Sequence, residues 1–425
     1  CGRVCDHPCE RRCRRSDVDE PIAIRALKRY IGDNVSDFSR PMARPAAGKT
    51  QVAVVGAGPA GLSCAFFLAL MGRPSVVFEA QPIPGGMLSL GIPEYRLPKK
   101  IINDEIAFIL SHGVELKTAN PIANVRELLD GRYKAVFVAT GAQTGRKLRI
   151  PGEELNGVMD ALEVLRYRAL GKAESFDGRR LVVLGGGNAA IDAARSALRL
   201  GAGKLTVLYR RSRQEMPAYE EEIEEALHEG IELHALAIPK RIVGDGHVTG
   251  IEYVQARLGD MDDSGRRRPV PIEGSETILD CDVIIVAIGQ TPSTEPLIWE
   301  NGPQVSKWGA VSVDPVTMAT CVPGVFAAGD CVTGGTTVIE AIAGGQRAAV
   351  NIDKFLGGPG RLPGDVGFAF TPPLQENLMA VSTREKEENL PVRKRKLNFH
   401  EVVLGLEAKQ AIREANRCLR CDLER

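Results

Sequence analysis

The sequence predicts an α/β fold with two Rossmann-like dinucleotide-binding domains, a Cys-rich helical segment in front and an extension behind. Three observations carry that expectation. The order strand, glycine turn, helix, strand occurs over 51–79 and again over 180–209. Glycine is abundant at 45 residues while aromatics make up only 5%, which suits tight phosphate-binding turns. At roughly 150 residues per domain, a chain of 425 residues holds two to three domains.

Composition excludes several classes. Lys+Arg and Asp+Glu are both 54, so the formal net charge is zero. Binding nucleic acid or an anionic membrane through bulk charge is therefore not expected. No apolar run approaches the roughly 18 residues that span a bilayer, so no membrane insertion is expected. No secretory signal is visible and the chain opens on Cys1, which reads as a start inside a longer, cytoplasmic polypeptide.

The elements follow in order. Residues 1–40 are basic and Cys-rich, with a helical pattern at 21–32, and 40–49 read as a linker. Residues 51–55 form a short apolar strand, 61–71 a helix and 74–79 a second strand. Residues 151–175 connect to the repeat, with strand 180–184, helix 191–200 and strand 204–209. A buried strand follows at 281–288, then a strand at 325–328 and a helix near 337–356. Residues 357–395 are rich in Pro and charge and read as surface, and 406–421 as a final helix. The domains expected are 1–40 (cluster-binding segment), 47–150 with 281–360 (first dinucleotide domain), 160–280 (second) and 361–425 (extension with C-x-x-C).

Gly56-Ala-Gly58-Pro-Ala-Gly61 lies between strand and helix, and Glu79 ends the next strand. The glycines permit a tight turn and close approach to a pyrophosphate, the helix N-terminus supplies N–H donors, and Glu79 can accept ribose hydroxyls. Gly185-Gly-Gly187-Asn188-Ala-Ala190 repeats the device, but its strand runs into Tyr209-Arg210-Arg211. Aligning VVFEA with TVLYRR sets Arg210 where Glu79 stands. A guanidinium there suits a 2′-phosphate and points to NADP(H); the competing reading is a solvated basic loop. Two dinucleotide sites imply a nicotinamide and a flavin. Gly329-Asp330, at the end of a strand and before a helix opening near Thr337, suits a ribityl hydroxyl and a reduced flavin ring; otherwise it is a turn.

Six of the ten cysteines cluster at the termini: Cys1, Cys5, Cys9 and Cys13 in front, Cys418 and Cys421 behind. Such clustering favours metal ligation over a disulfide framework. Thiolates are the usual ligands of a 4Fe–4S cluster, and zinc is the alternative. Pro8 argues for turns rather than one continuous helix. Cys64, Cys281, Cys321 and Cys331 read as small hydrophobes.

With these motifs in view, the chain resembles the small (beta) subunit of glutamate synthase and its relatives. These include the large subunit of NADH-dependent ferredoxin:NADP oxidoreductase and the N-terminal half of dihydropyrimidine dehydrogenase. The resemblance rests on CGRVCDHPCERRC (1–13), PIAIRALKRY (21–30), VAVVGAGPAGLSCA (52–65), GGMLSLGIPEYRLPK (85–99), VVLGGGNAAIDAAR (182–195), YRRSRQEMPA (209–218), VIIVAIGQTP (283–292) and GVFAAGDCVTGG (324–335). It implies an FAD domain with an inserted NADPH domain. Gly56, Gly58, Gly61 and Glu79 would hold the adenosine half of FAD. Gly86, Met87 and Leu88 would lie near the isoalloxazine, with Gly329, Asp330 and Thr337 at the ribityl end. Gly185, Gly187, Asn188, Arg210 and Arg211 would hold NADPH. Relatives share two 4Fe–4S clusters between the head cysteines and an upstream EA-x-RCL-x-C segment. Here that wording stands at the other end, as Glu414-Ala-Asn-Arg417-Cys418-Leu-Arg-Cys421. Two clusters need up to eight protein ligands, so either one cluster is complete here or Glu20, His7, residues outside the sequence or a partner supply the remainder.

The function expected is an FAD- and iron–sulfur-dependent NADPH oxidoreductase subunit. It would pass electrons between NADP(H), FAD, clusters and other redox subunits, such as ferredoxin or an iron–sulfur/flavin subunit, by simple transfer or by flavin-based bifurcation. No catalytic side chain is expected, because positioning the two rings is the catalysis. One rival, a thioredoxin-reductase-like disulfide reductase, needs a C-x-x-C in the second domain, and 151–280 contain no cysteine. The other, a non-catalytic conduit or assembly subunit, leaves both fingerprints unexplained.

Overall fold

The computed structural model describes residues 2–35, 51–262, 265–362 and 381–421. Short runs such as VAVV (52–55), AVFV (135–138) and VIIV (283–286) are buried at every residue. Continuous apolar β-branched runs of this kind suit parallel strands covered on both faces. Two five-stranded parallel sheets result. The first runs Val325–Ala327, Ala135–Val138, Val52–Val55, Ser75–Phe78, Glu115–Lys117. The second runs Val158–Asp160, Val283–Val286, Arg180–Leu184, Lys204–Leu208, Glu232–His234.

The expected boundary at 281 is displaced. Val283–Val286 pairs with Leu181–Leu184 in the second sheet, so the chain leaves that unit a strand later than 281. The two connections between the sheets cross as an antiparallel pair, Thr144–Gly145 with Gln290–Thr291. Between Ala237 and Asp280 the chain adds an antiparallel sheet whose longest strand, His247–Met261, pairs with Ala237–Asp245, Arg267–Pro271 and Thr277–Asp280.

Helix Pro59–Leu70 is apolar nearly all round and is covered on both sides. One cover is the first sheet. The other is helix Val338–Phe355, which crosses it so closely that a Cβ on Gly345 would stand 2.2 Å from the Ala60 carbonyl oxygen. That second helix opens with a capping box: Thr337 Oγ1 accepts from Glu340 N, and Glu340 Oε2 accepts from Thr337 N.

The head is built from short 3₁₀ turns (Glu10–Arg12, Arg14–Asp17) and helix Ile24–Asn34, in keeping with the turns expected from Pro8. Helix Ala408–Asn416 packs against Ile24–Asn34 through Ala23, Ala26, Leu406 and Ala411. Glu414 is fully buried there and accepts from the backbone N of Ala23 (2.7 Å) and of Glu385 (2.9 Å).

A buried lattice of ion pairs ties the two bodies together. Arg96, from the first, donates to Asp192 at 2.7 and 2.9 Å and lies 3.0 Å from Glu222, both in the second. Arg195 and Arg199 both hold Glu229, at 2.7 Å each. Tyr95 is stacked by the same two guanidiniums, at 4.7 and 4.2 Å. The tail joins in: Arg395 pairs with Glu225 and Glu229, Arg199 donates to Asn398 O, and Val402 N donates to Tyr95 O.

Two outcomes follow. Gly345→Ala should destabilise the chain by about 1–3 kcal/mol through overpacking, read as a lower denaturant midpoint. Burial pushes the Glu229 carboxyl up, but hydrogen bonds from Arg199 and Arg195 outweigh it and hold it at about 2, below its ordinary 4.5. Its stabilising effect is therefore full above pH 4.5 and fades as the pH falls toward 2. Glu229→Gln should cost roughly 3–5 kcal/mol at neutral pH. Unfolding curves across the acid range should be flatter for that variant than for the parent.

Candidate functional site

A cleft of about 810 Å³ opens between the two sheets. Its floor is the first glycine turn. Gly56 has φ +106°, and a Cβ there would stand 2.3 Å from Ala139 O. Gly58 lies in the cleft wall and caps helix Pro59–Leu70. Gly61 lies below the cleft, where a Cβ would meet Gly56 O at 1.9 Å, so its task is to let the helix sit against the turn. Glu79 lines the wall and ties the turn, accepting from Ala57 N and Gln81 N at 2.8 Å each. Burial raises its carboxyl above the ordinary value, against those two N–H groups. A carboxylate has further lone pairs for hydroxyl donors.

Gly86, Met87 and Leu88 line the same cleft, and Gly85 N donates to Ala57 O, which lays this segment on the first turn. Gly329 (φ +77°), Asp330 and Thr337 also line it, with Gly329 packed on Ala60. Asp330 accepts from Thr336 N at 3.2 Å, and burial raises its carboxyl. The head reaches in as well, through Val4, Asp6 and Arg11. Reading the head for cysteines alone missed Asp6 and Arg11, although both stand between them in the sequence.

The second turn is built alike. Gly185 has φ +144°, and a Cβ there would stand 2.2 Å from Ala287 O. Gly187 caps helix Asn188–Arg199. Asn188 reaches the cleft and accepts from Tyr219 N at 3.1 Å. The cleft is thus lined by the first glycine turn and by Asn188 and Ala189 at the start of the helix that follows the second, while Gly185 and Gly187 lie outside its lining.

The register at the second turn differs from the expected alignment. Gly56 N donates to Phe78 O, and Gly185 N donates to Leu208 O. Tyr209, not Arg210, is therefore the counterpart of Glu79. Its ring covers Gly186 and its hydroxyl donates to Glu215 O at 2.9 Å. No acid stands at that position in either alignment. Arg210 follows as an exposed guanidinium. Arg211, expected beside it as a ligand, is buried and turned inward. Its Nη2 meets Asp262 Oδ2 at 2.5 Å and its Nε donates to Arg267 O at 2.9 Å.

Of the head cysteines, Cys5 is buried, Cys9 exposed and Cys13 partly exposed, while Cys1 lies outside the described residues. Cys418 and Cys421 are partly exposed, and all five described thiols are free. The two ends meet. Arg15 donates to Arg417 O at 3.1 Å, and Arg417 donates to Asp19 at 2.8 Å and to Glu20 O at 2.6 Å. Cys13 and Cys418 therefore flank one junction. Thiol donors on adjoining segments are the chemistry a cluster needs. Among the described residues, however, no three His, Cys, Asp or Glu side chains are gathered as a metal-holding group. Cys64, Cys281 and Cys331 are buried as expected, whereas Cys321 is exposed.

Comparison with known proteins agrees with this geometry. The pyridine nucleotide-disulphide oxidoreductase family matches residues 50–345. The beta subunit of the NADP(+)-dependent formate dehydrogenase of Moorella thermoacetica is 42% identical over 99% of this chain, which spans 64% of that protein's length. The glutamate synthase [NADPH] small chain of Halomonas elongata is 35% identical over 84% of this chain and 79% of its own. The fold is that of Mycobacterium tuberculosis FprA, solved in complex with NADPH. Its TM-score is 0.63 at 19% identity, over 73% of this chain and 85% of that one.

Fold and site thus define an NAD(P)H-dependent oxidoreductase. The chain belongs to the pyridine nucleotide-disulphide oxidoreductases and, among them, to the flavoproteins related to the glutamate synthase small subunit.

Proposed function

We propose that this chain is the NADPH-oxidising flavin module of a larger cytoplasmic redox complex. FAD would lie on the first dinucleotide turn, NADPH on the second, and iron–sulfur clusters at the joined ends. The observation that carries this reading is that the first turn and the helix start after the second, at Asn188 and Ala189, line one cleft. Bound together, these groups supply hydride transfer from the nicotinamide and onward transfer of single electrons. The chain's own part is binding and orientation. The Gly56–Gly61 turn and the N-terminus of Pro59–Leu70 present N–H donors to a pyrophosphate, and Glu79 accepts from a ribose. Asp330 accepts from a ribityl hydroxyl, and the partial positive charge at the start of Val338–Phe355 faces the flavin end. Asn188 lies at the second turn, and Arg210 offers charge-assisted hydrogen bonds to a 2′-phosphate.

Cys1, Cys5, Cys9, Cys13, Cys418 and Cys421 are the thiolates for the clusters. The partner is another redox subunit, in line with the beta-subunit and small-chain names of the relatives. The identity of that partner decides between simple delivery of electrons to one acceptor and their splitting between two. The described cysteines are all unpaired, as suits a reducing compartment. Among the described residues no helix is long and apolar enough to cross a membrane.

Anaerobically purified protein should carry stoichiometric FAD together with iron and acid-labile sulfide, and NADPH should bleach the flavin. Zinc in place of iron would refute the cluster assignment. Charged hydrogen bonds of about 1.5–3 kcal/mol give NADPH a preference over NADH of roughly tenfold to a hundredfold. Arg210→Glu should erase that preference, and equal use of both cofactors by the parent protein would contradict the assignment. Replacing Cys418 and Cys421 together by Ser should lower bound iron and stop onward transfer to an added acceptor; unchanged iron would show the tail to be a bystander.

A further inference from the structure

The loop that presents Arg210 is held from outside its own βαβ unit. Arg211 O accepts from Leu236 N at 2.9 Å, while its guanidinium reaches across to Asp262 and to Arg267 O. Four residues on, Glu215 Oε1 accepts from Arg267 N at 3.0 Å and from Arg267 Nε at 3.2 Å. Ser212 and Tyr209 both close onto Glu215 as well. The stretch after the second sheet's strand is thus pinned at two points to the hairpin formed by His247–Met261 and Arg267–Pro271, more than fifty residues further along.

We propose that this hairpin is a specificity brace, in which Arg211, Asp262 and Arg267 are positioning residues that set Arg210 to read a 2′-phosphate. The proposal rests on the NADPH reading and adds a part of the fold that lies outside both glycine-turn units.

The brace acts in two ways. It fixes the backbone on the C-terminal side of Arg210, so less freedom is lost when the guanidinium engages a dianion. It also keeps the Asp262 carboxylate engaged by Arg211. Without Arg211, that carboxylate, which also accepts from Arg266 N at 3.3 Å, would turn its unmet charge on Arg210 or on the phosphate. Lys at 211 would keep the charge opposite Asp262, but its point-like ammonium lacks the planar fork that serves Asp262 and Arg267 O at once.

Calorimetric binding of 2′,5′-ADP and of 5′-ADP to the full chain tests this without turnover. The parent should favour 2′,5′-ADP by roughly tenfold or more. Arg211→Met should remove most of that factor and leave 5′-ADP affinity within about twofold, Arg211→Lys should lie between, and Arg211→Met with Asp262→Ala should recover part of the loss. A purely structural strut would recover stability on the second deletion without recovering the 2′,5′-ADP to 5′-ADP ratio. Unchanged selectivity in Arg211→Met, or equal loss of both ligands, overturns the brace. Should Arg211→Met not fold, Glu215→Ala, which removes both hydrogen bonds from Arg267, replaces it. Selective loss of 2′,5′-ADP there supports the proposal, and unchanged selectivity overturns it. A parent protein that binds both ligands alike refutes the NADPH reading itself, which is a separate result from a selective parent with equally selective variants.

Discussion

The arrangement of this molecule depends on a lattice of buried charge. Two parallel sheets are joined in sequence only by a pair of crossing strands, Thr144–Gly145 and Gln290–Thr291. What sets their mutual orientation is Arg96 on one side and Asp192 and Glu222 on the other, extended through Arg195, Arg199 and Glu229. Burying such groups is costly unless each charge is partnered, and removing one partner leaves its mate stranded. The lattice therefore tolerates one relative placement of the bodies. Asp192 stands one helical turn beyond Asn188, so the same contact that joins the bodies also places the second glycine turn against the first.

Much of this was legible in the sequence. Gly56, Gly58, Gly61 and Glu79 carry their meaning locally, because a turn that needs positive φ and close backbone approach is written in consecutive residues. What escaped was long-range. The alignment at Arg210 slipped by one residue, since only the hydrogen bonds of Gly56 and Gly185 to the neighbouring strand fix register. Arg211 looked like a ligand because its partner, Asp262, lies about fifty residues away. Strand Val283–Val286 was placed in the wrong unit because a buried apolar run carries no mark of which sheet it joins.

The joined ends show a similar division. The wording around Cys418 and Cys421 pointed to the head, but the junction is made by groups that no motif names. Glu414 caps the backbone at Ala23 and Glu385, and Arg417 bridges Asp19 and Glu20.

One consequence of holding the cleft with charges concerns heat. The cost of dehydrating ions declines on warming, whereas the gain from burying hydrocarbon levels off. The sheets' own interiors are apolar, but the span between them is bridged by guanidinium and carboxylate. As temperature rises, the bridge strengthens relative to the blocks it joins. The spacing between the two nucleotide turns is then held by contacts whose dehydration cost declines on warming.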